Sequence, residues 1–161
     1  MPKTVPCLWF DGQAEAAAEH YCAIFPNSRI THVAPRPEGM PGSEDGSALA
    51  VSFELDGREY AGLNGGPEFT FTEAISLLIE CEDQEELDRY WDRFVADGGE
   101  EGPCGWVKDR YGLSWQVVPA GIDALFGDDD PERAQRAMEA MFKMRRIDIA
   151  ALRAAAEGVA A

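Results

Sequence analysis

One helical pattern is written twice in this chain, and the repetition constrains the fold more than any other feature. Ala14, Ala17, Ala18, Tyr21, Cys22 and Phe25 recur at i, i+3, i+4, i+7, i+8 and i+11, a single apolar stripe along one side of a helix. Leu87, Tyr90, Trp91 and Phe94 then restate Ala18, Tyr21, Cys22 and Phe25, each pair separated by 69 positions. Each helix follows a short apolar strand that ends at an acidic residue, and each precedes further strands. The spacing predicts two tandem copies of a β-α-β-β-β unit.

The punctuation fits that plan. Val5 to Phe10 reads as a strand that stops at Asp11-Gly12, a turn suited to capping the first helix, and Pro26 ends that helix. Ile30 to Val33 reads as a short strand and Ala34 to Gly46 as a Pro/Gly-rich loop. Leu49, Val51, Phe53 and Leu55 alternate with small or polar residues, the period of a strand with one buried face. Asp56-Gly57 predicts a two-residue hairpin, and the return strand should run through about Leu63 to a break at Asn64-Gly65-Gly66-Pro67, with another strand after Pro67.

The second half restarts with Ile75, Leu77, Ile79 and Cys81 as a strand and Asp83 with Glu86 as a capping box; Gly98-Gly99 closes the helix. Strands are expected around Trp106 and from Leu113 to Val118, joined by a tight turn over Lys108, Asp109, Arg110, Tyr111 and Gly112. Asp130-Pro131 should cap a helix with the stripe Ala134, Ala137, Met138, Met141 and Phe142, and a last Ala-rich helix should start near Asp148. The stripe of these two helices is expected to dock on the duplicated core or on a second subunit.

Charge and length exclude several functions. With 161 residues the chain has no room for a dinucleotide-binding domain plus a substrate domain. A net charge of −16 repels phosphate backbones and anionic lipid, so neither nucleic acid nor a membrane is an expected partner. Acid gathers from Glu80 to Asp88, at Glu100 and Glu101, and from Asp128 to Asp130, and reads as solvated surface; the main basic patch is Lys143, Arg145 and Arg146. No apolar run approaches the ~18 residues of a membrane helix, and no leader pattern opens the chain, so a cytoplasmic location is expected. Cys7, Cys22, Cys81 and Cys104 are widely spaced and read as free thiols.

Two histidines, His20 and His32, do not make a histidine-rich metal site or a Ser-His or Cys-His nucleophile. The glycines at 65 and 66 precede an apparent strand rather than a helix, which rules out a phosphate loop, and a doubly wound S-adenosylmethionine fold would need a longer α/β alternation. What remains is a cleft of amides and aromatics. Ser76, Leu78 and Glu80 share one strand face and Ser114, Gln116 and Val118 another, opposite the apolar sets that should meet the helices. On that side Gln116 could hydrogen-bond a ligand and Trp9 or Trp106 could stack on it.

Several segments, in order and over nearly the whole chain, carry a family resemblance. They are Pro6 to Gly12, Phe25-Pro26-Asn27-Ser28, Leu63 to Pro67, Cys104 to Pro119, and the closing Met141 to Leu152. Together they resemble the PhnB-like branch of the vicinal oxygen chelate superfamily, whose members include glyoxalase I, bleomycin-resistance proteins and extradiol dioxygenases. The resemblance implies an α+β fold of paired βαβββ modules, the glyoxalase/bleomycin resistance/dioxygenase fold, and a working homodimer. On this chain the modules would span 1–68 and 69–122 of a domain at 1–122, with 123–161 as a C-terminal helical extension. Members of the branch often carry the label 3-demethylubiquinone-9 3-methyltransferase.

Superfamily enzymes hold a divalent metal with His, Glu or Gln from the first and last strands of each module. Matched strand to strand, those positions fall on about Val5, near Asn64, and on Ser76 and Gln116. Two amides, a hydroxyl and a valine would not hold a transition metal tightly, so no resident metal is expected. The reading that follows is a dimeric small-molecule-binding protein with a cleft lined by Cys7, Trp9, Asn64, Ser76, Trp106 and Gln116. The alternative is an enzyme of the superfamily, either a metal-dependent lyase or dioxygenase or the methyltransferase of the family label.

Overall fold

The computed structural model describes residues 3–43, 46–127 and 129–159. Asp128 of the acidic run and positions 44 and 45 of the Pro/Gly-rich loop lie outside the described residues. Two compact units, Met1–Phe71 and Thr72–Ala161, each carry one four-stranded sheet.

In the first unit β1 (Cys7–Phe10), α1 (Ala14–Ile24), β2 (Arg29–Pro35), β3 (Ala48–Leu55) and β4 (Arg58–Asn64) build a sheet of order β1-β4-β3-β2. β1 runs parallel to β4, and the other pairs are antiparallel. Asp56 and Gly57 both take positive φ, 47° and 76°, which closes Leu55 against Arg58 in the turn whose twist matches paired strands. Tyr21, Ala14, Ala17 and Ala18 of α1 are buried on the β3 side, with Val51, Phe53 and Leu55 buried beneath them. Gly62 lets the helix approach: a Cβ there would lie 3.1 Å from that of Ala14.

The second unit repeats the order. β5 (Ser76–Cys81), α2 (Gln84–Ala96), β6 (Glu100–Glu101), β7 (Trp106–Lys108) and β8 (Ser114–Pro119) form a sheet β5-β8-β7-β6, again with the first strand parallel to the last. β5 opens at Ser76, 69 residues after Cys7 opens β1, the same interval as the helical stripes. The duplication expected from the stripes is thus present strand for strand. Asp83 accepts from Glu86 N at 2.9 Å while the Glu86 carboxylate accepts from Glu82 N, so α2 is capped as the sequence predicts. Asp109 holds the predicted tight turn by accepting from Tyr111 N and Leu113 N, and its other oxygen accepts the Trp115 indole N–H at 2.9 Å. Trp91, Phe94 and Trp115 form the buried centre, with the Phe94 and Trp115 rings 4.9 Å apart.

Three helices follow: α3 (Ile122–Phe126), α4 (Pro131–Met141) and α5 (Ile149–Ala156). Asp130 and Asp148 cap the last two as expected. The chain before α5 is stitched to the sheet, since Cys104 N and Gly105 N donate to the carbonyls of Met144 and Arg145. The Gln84 amide also grips both ends of the turn, donating to Ile147 O and accepting from Ile149 N.

The structure departs from the sequence reading at five places. Asp11-Gly12 does not cap α1; Gln13 stands at the cap with no side-chain bond, and the first helical N–H is taken by Asn64 from across the sheet. No strand follows Pro67, because residues 65–75 are irregular. β6 consists of two glutamates that had read only as solvated acid. The α4 stripe is half docked: Ala134 and Ala137 are buried, whereas Met138 is 37% and Phe142 66% exposed. Finally, Ile75, expected as the first apolar residue of the strand, lies outside β5 and is 55% exposed, and α3 has no distinct signal in the pattern.

Candidate functional site

The pleat divides the second sheet as the sequence predicts. Ile79, Cys81, Trp115 and Val117 are buried among the core residues of the unit, and Ser76, Leu78, Ser114 and Gln116 occupy the opposite face. Register extends that face across all four strands. Ser76 pairs with Ser114, Ser114 with Lys108, and Lys108 with Glu100. The next row runs from Leu78 to Gln116 to Trp106. A hydroxyl pair, an ammonium and a carboxylate therefore form one polar line, with an indole and an amide beside it.

A pocket of about 400 Å³ opens on this face, lined by Trp106, Lys108, Ser114, Glu73 and Glu100 together with the strand edge at 101–104 and Val107. That volume suits a small organic ligand. Trp106, Pro103, Cys104 and Val107 supply apolar wall. The Lys108 ammonium donates to Glu73 Oε1 at 2.5 Å, which holds the Glu73 carboxyl below its usual range and pushes the Lys108 ammonium up. Glu101 is already engaged, accepting the Trp91 indole N–H at 2.9 Å with Arg145 3.9 Å away. Ser114 is only 2% exposed, yet its hydroxyl makes no hydrogen bond among the described residues and borders the pocket. That hydroxyl, at the pocket wall, is open to pairing with water or with a ligand.

Of the six residues expected to line a cleft, three share this face. Trp106 borders the pocket, while Gln116 donates to the Ser76 hydroxyl at 2.8 Å and the two sit beside it in register. The other three lie in the first unit. Cys7 is exposed at the start of β1. Trp9 is on the same face but committed locally: its indole N–H donates to Gly66 O at 2.8 Å and its ring covers Gly65, where a Cβ would fall 2.1 Å from a ring carbon. Phe69 meets that ring edge-on at 4.9 Å.

Asn64 turns the other way. Its register partner is Phe10, on the buried side, and its amide is used at both ends, accepting from Ala14 N at 2.9 Å and donating to Ala48 O at 2.8 Å. The residue that corresponds to Gln116 is Leu63: Trp9 pairs with Leu63 as Leu78, 69 positions on, pairs with Gln116. A one-residue slip in strand register moves a side chain to the opposite face, and the sequence left the end of β4 uncertain by that amount. Cys7 likewise replaces Val5 as the counterpart of Ser76, since Val5 precedes the strand.

The superfamily's metal can be tested against these donors. The corresponding positions now hold a thiol at Cys7, no donor at Leu63, and a hydroxyl and an amide at Ser76 and Gln116 that bond each other. Among the described residues no three His, Cys, Asp or Glu converge on a point that could take a cation. This donor set does not fit a divalent transition metal. The lining residues Glu73, Glu100 and Lys108 were not picked out by sequence reasoning, although the alternation Trp106-Val107-Lys108 carried a signal that Lys108 shares the face of Trp106.

Among the described residues no helix is long and apolar enough to cross a membrane. A family model described as 3-demethylubiquinone-9 3-methyltransferase matches residues 2–118. No curated protein sequence matches. The PhnB protein of Bacillus cereus, which carries the same methyltransferase description, is 32% identical over 73% of this chain and 99% of that one, with a TM-score of 0.64. A Pseudomonas aeruginosa protein, 16% identical over 74% of this chain and 97% of that one, has a TM-score of 0.61 and shares the fold. So does the fosfomycin resistance protein FosX of Mesorhizobium loti, 13% identical over 75% and 94%, at a TM-score of 0.52. On its sequence match and its paired βαβββ sheets, the chain belongs to the 3-demethylubiquinone-9 3-methyltransferase family, the PhnB-like branch of the vicinal oxygen chelate superfamily with its glyoxalase/bleomycin resistance fold.

Proposed function

We propose that this chain is a cytosolic, homodimeric small-molecule-binding protein that works without a tightly held metal and seats its ligand on the open face of β5, β8 and β7. The observation that carries this reading is the pocket of about 400 Å³ beside Trp106, into which the unpartnered Ser114 hydroxyl opens. Apolar wall supplies affinity, and a few fixed polar groups supply orientation. In this reading Gln116 and Ser76 hold each other's side chains and fix the pocket's inner edge, while Cys7 and Trp9 belong to the corresponding face of the first unit.

The test is a thermal-shift screen of the purified protein against two-ring aromatic probes, S-adenosylmethionine, and Ni²⁺ and Fe²⁺. Binding to the folded state must raise the melting temperature. An aromatic probe should raise it in the wild type and lose its effect in Trp106→Ala. A response to S-adenosylmethionine or to a metal alone, or one tightly held divalent ion per chain by mass spectrometry, would overturn the reading in favour of an enzyme of the superfamily.

A further inference from the structure

The charges around the pocket specify more than a generic small molecule, and the argument rests on the pocket reading just given. Three carboxylates, Glu73, Glu100 and Glu101, border it against one ammonium, Lys108. Lys108 is neutralised by Glu73, and Glu101 is occupied by the Trp91 indole N–H and faces Arg145. Glu100 is left, in register with Lys108 on the open face; it adds weakly to the field on that ammonium, whose hydrogen bond goes to Glu73. The pocket therefore keeps an excess of negative charge within a chain that is itself at −16. On the same face, two residues along β7 from Lys108, stands the Trp106 indole, whose π-face attracts cations. The Ser114 hydroxyl borders the pocket and is free to accept from an N–H.

We infer that the pocket selects a flat organic cation, an aromatic ring system bearing an ammonium or amidinium group. The ring lies on Trp106 and the charged nitrogen sits between Glu100 and the Ser114 hydroxyl. An anionic ligand of the same shape meets uncompensated carboxylate there and is excluded; a neutral one gains only the apolar wall.

Three molecules of one shape separate these contributions: 2-naphthylmethylammonium, 2-naphthalenemethanol and 2-naphthoate, titrated calorimetrically into the full chain at low salt. The cation should bind about tenfold more tightly than the alcohol, a preference that fades as salt rises, and the carboxylate should give no heat. Glu100→Gln should abolish the preference of cation over alcohol. Glu59→Gln, which removes the same unit of charge from the other unit, should leave it unchanged. Equal binding of cation and alcohol, tighter binding of the carboxylate, or an equal loss in Glu59→Gln would overturn the charge selection while leaving a pocket for neutral aromatics. Heat from none of the three would overturn the pocket reading and this inference together.

Discussion

Asn64 joins three elements through one side chain: the end of β4, the first turn of α1 through Ala14 N, and β3 through Ala48 O. Removing it leaves a helix N–H and a buried carbonyl without partners, each a cost of about 1–3 kcal/mol. Asn64→Ala should thus lower the urea midpoint by the equivalent of roughly 2–6 kcal/mol with an unchanged denaturant slope. A site residue that instead faced ligand would leave stability nearly untouched when truncated. Nothing in the residue type separated these two roles; only the register of β4 does.

Cys81 gives a second residue-level expectation. Burial pushes its thiol from 9.0 up to about 12, with the Glu86 carboxylate adding to the effect. Between those values the unfolded chain releases a proton that the folded chain still holds, so stability should fall as pH rises through that window, at no more than about 1.4 kcal/mol per pH unit. Tyr60 and Tyr90 are also raised by burial and add to the loss above 10.0. Denaturant midpoints between pH 9 and 10 should be flatter in Cys81→Ala than in the wild type. At pH 8 a thiol reagent should modify exposed Cys7 long before Cys81.

At the level of elements, the segment between β6 and β7 is held in place by the chain that precedes α5. Gly105 is central to that arrangement: its φ is 78°, and a Cβ there would fall 2.7 Å from Val117 O and 2.9 Å from the Ile147 side chain. Gly112 shares the left-handed backbone, at φ 89°, but faces open space. Alanine at Gly112 should cost about 1–2 kcal/mol, the strain of that conformation alone. Alanine at Gly105 should cost clearly more, because backbone must also move. Thermal melts of the two variants side by side check the difference, and equal losses would mean the contact with Ile147 is compliant.

The elements were also where the sequence was most readable. Helical stripes, the Asp-Gly hairpin, the Asp83 cap and the Asp109 turn are local patterns, each carried by residues a few positions apart. β6 was unreadable for the opposite reason: two adjacent glutamates have no apolar period, and their strand exists only because Val107 and Lys108 offer a ladder. The pocket shares that fate, since Glu100, Lys108 and Ser114 meet through register across strands, and Glu73 joins them through its bond with Lys108 rather than through any spacing along the chain.

For the molecule as a whole, the surface ion pairs bear little weight. Most involve exposed partners, such as Arg29 with Glu54 and Arg145 with Glu101, and such pairs contribute about 0–1 kcal/mol. Repulsion within a chain at −16 acts over longer range. Moderate salt should therefore raise the melting temperature, because screening relieves more repulsion than it removes attraction. A fall between low and physiological ionic strength would mean that the networks around Arg146, Asp88 and Asp92 dominate instead.

One end strand of each sheet, β6 in the second and β2 in the first, has a further consequence. β6 offers another chain only two residues, both carrying like charge, and β2, though seven long, is irregular at Ile30/His32 and again at Ala34/Pro35 and finishes on a proline. Neither is a straight ladder on which a stray strand could grow, and the glutamates at 100 and 101 guard that edge against fibrillar stacking. The acidity that borders the pocket also keeps concentrated copies of this protein from zipping together along that edge.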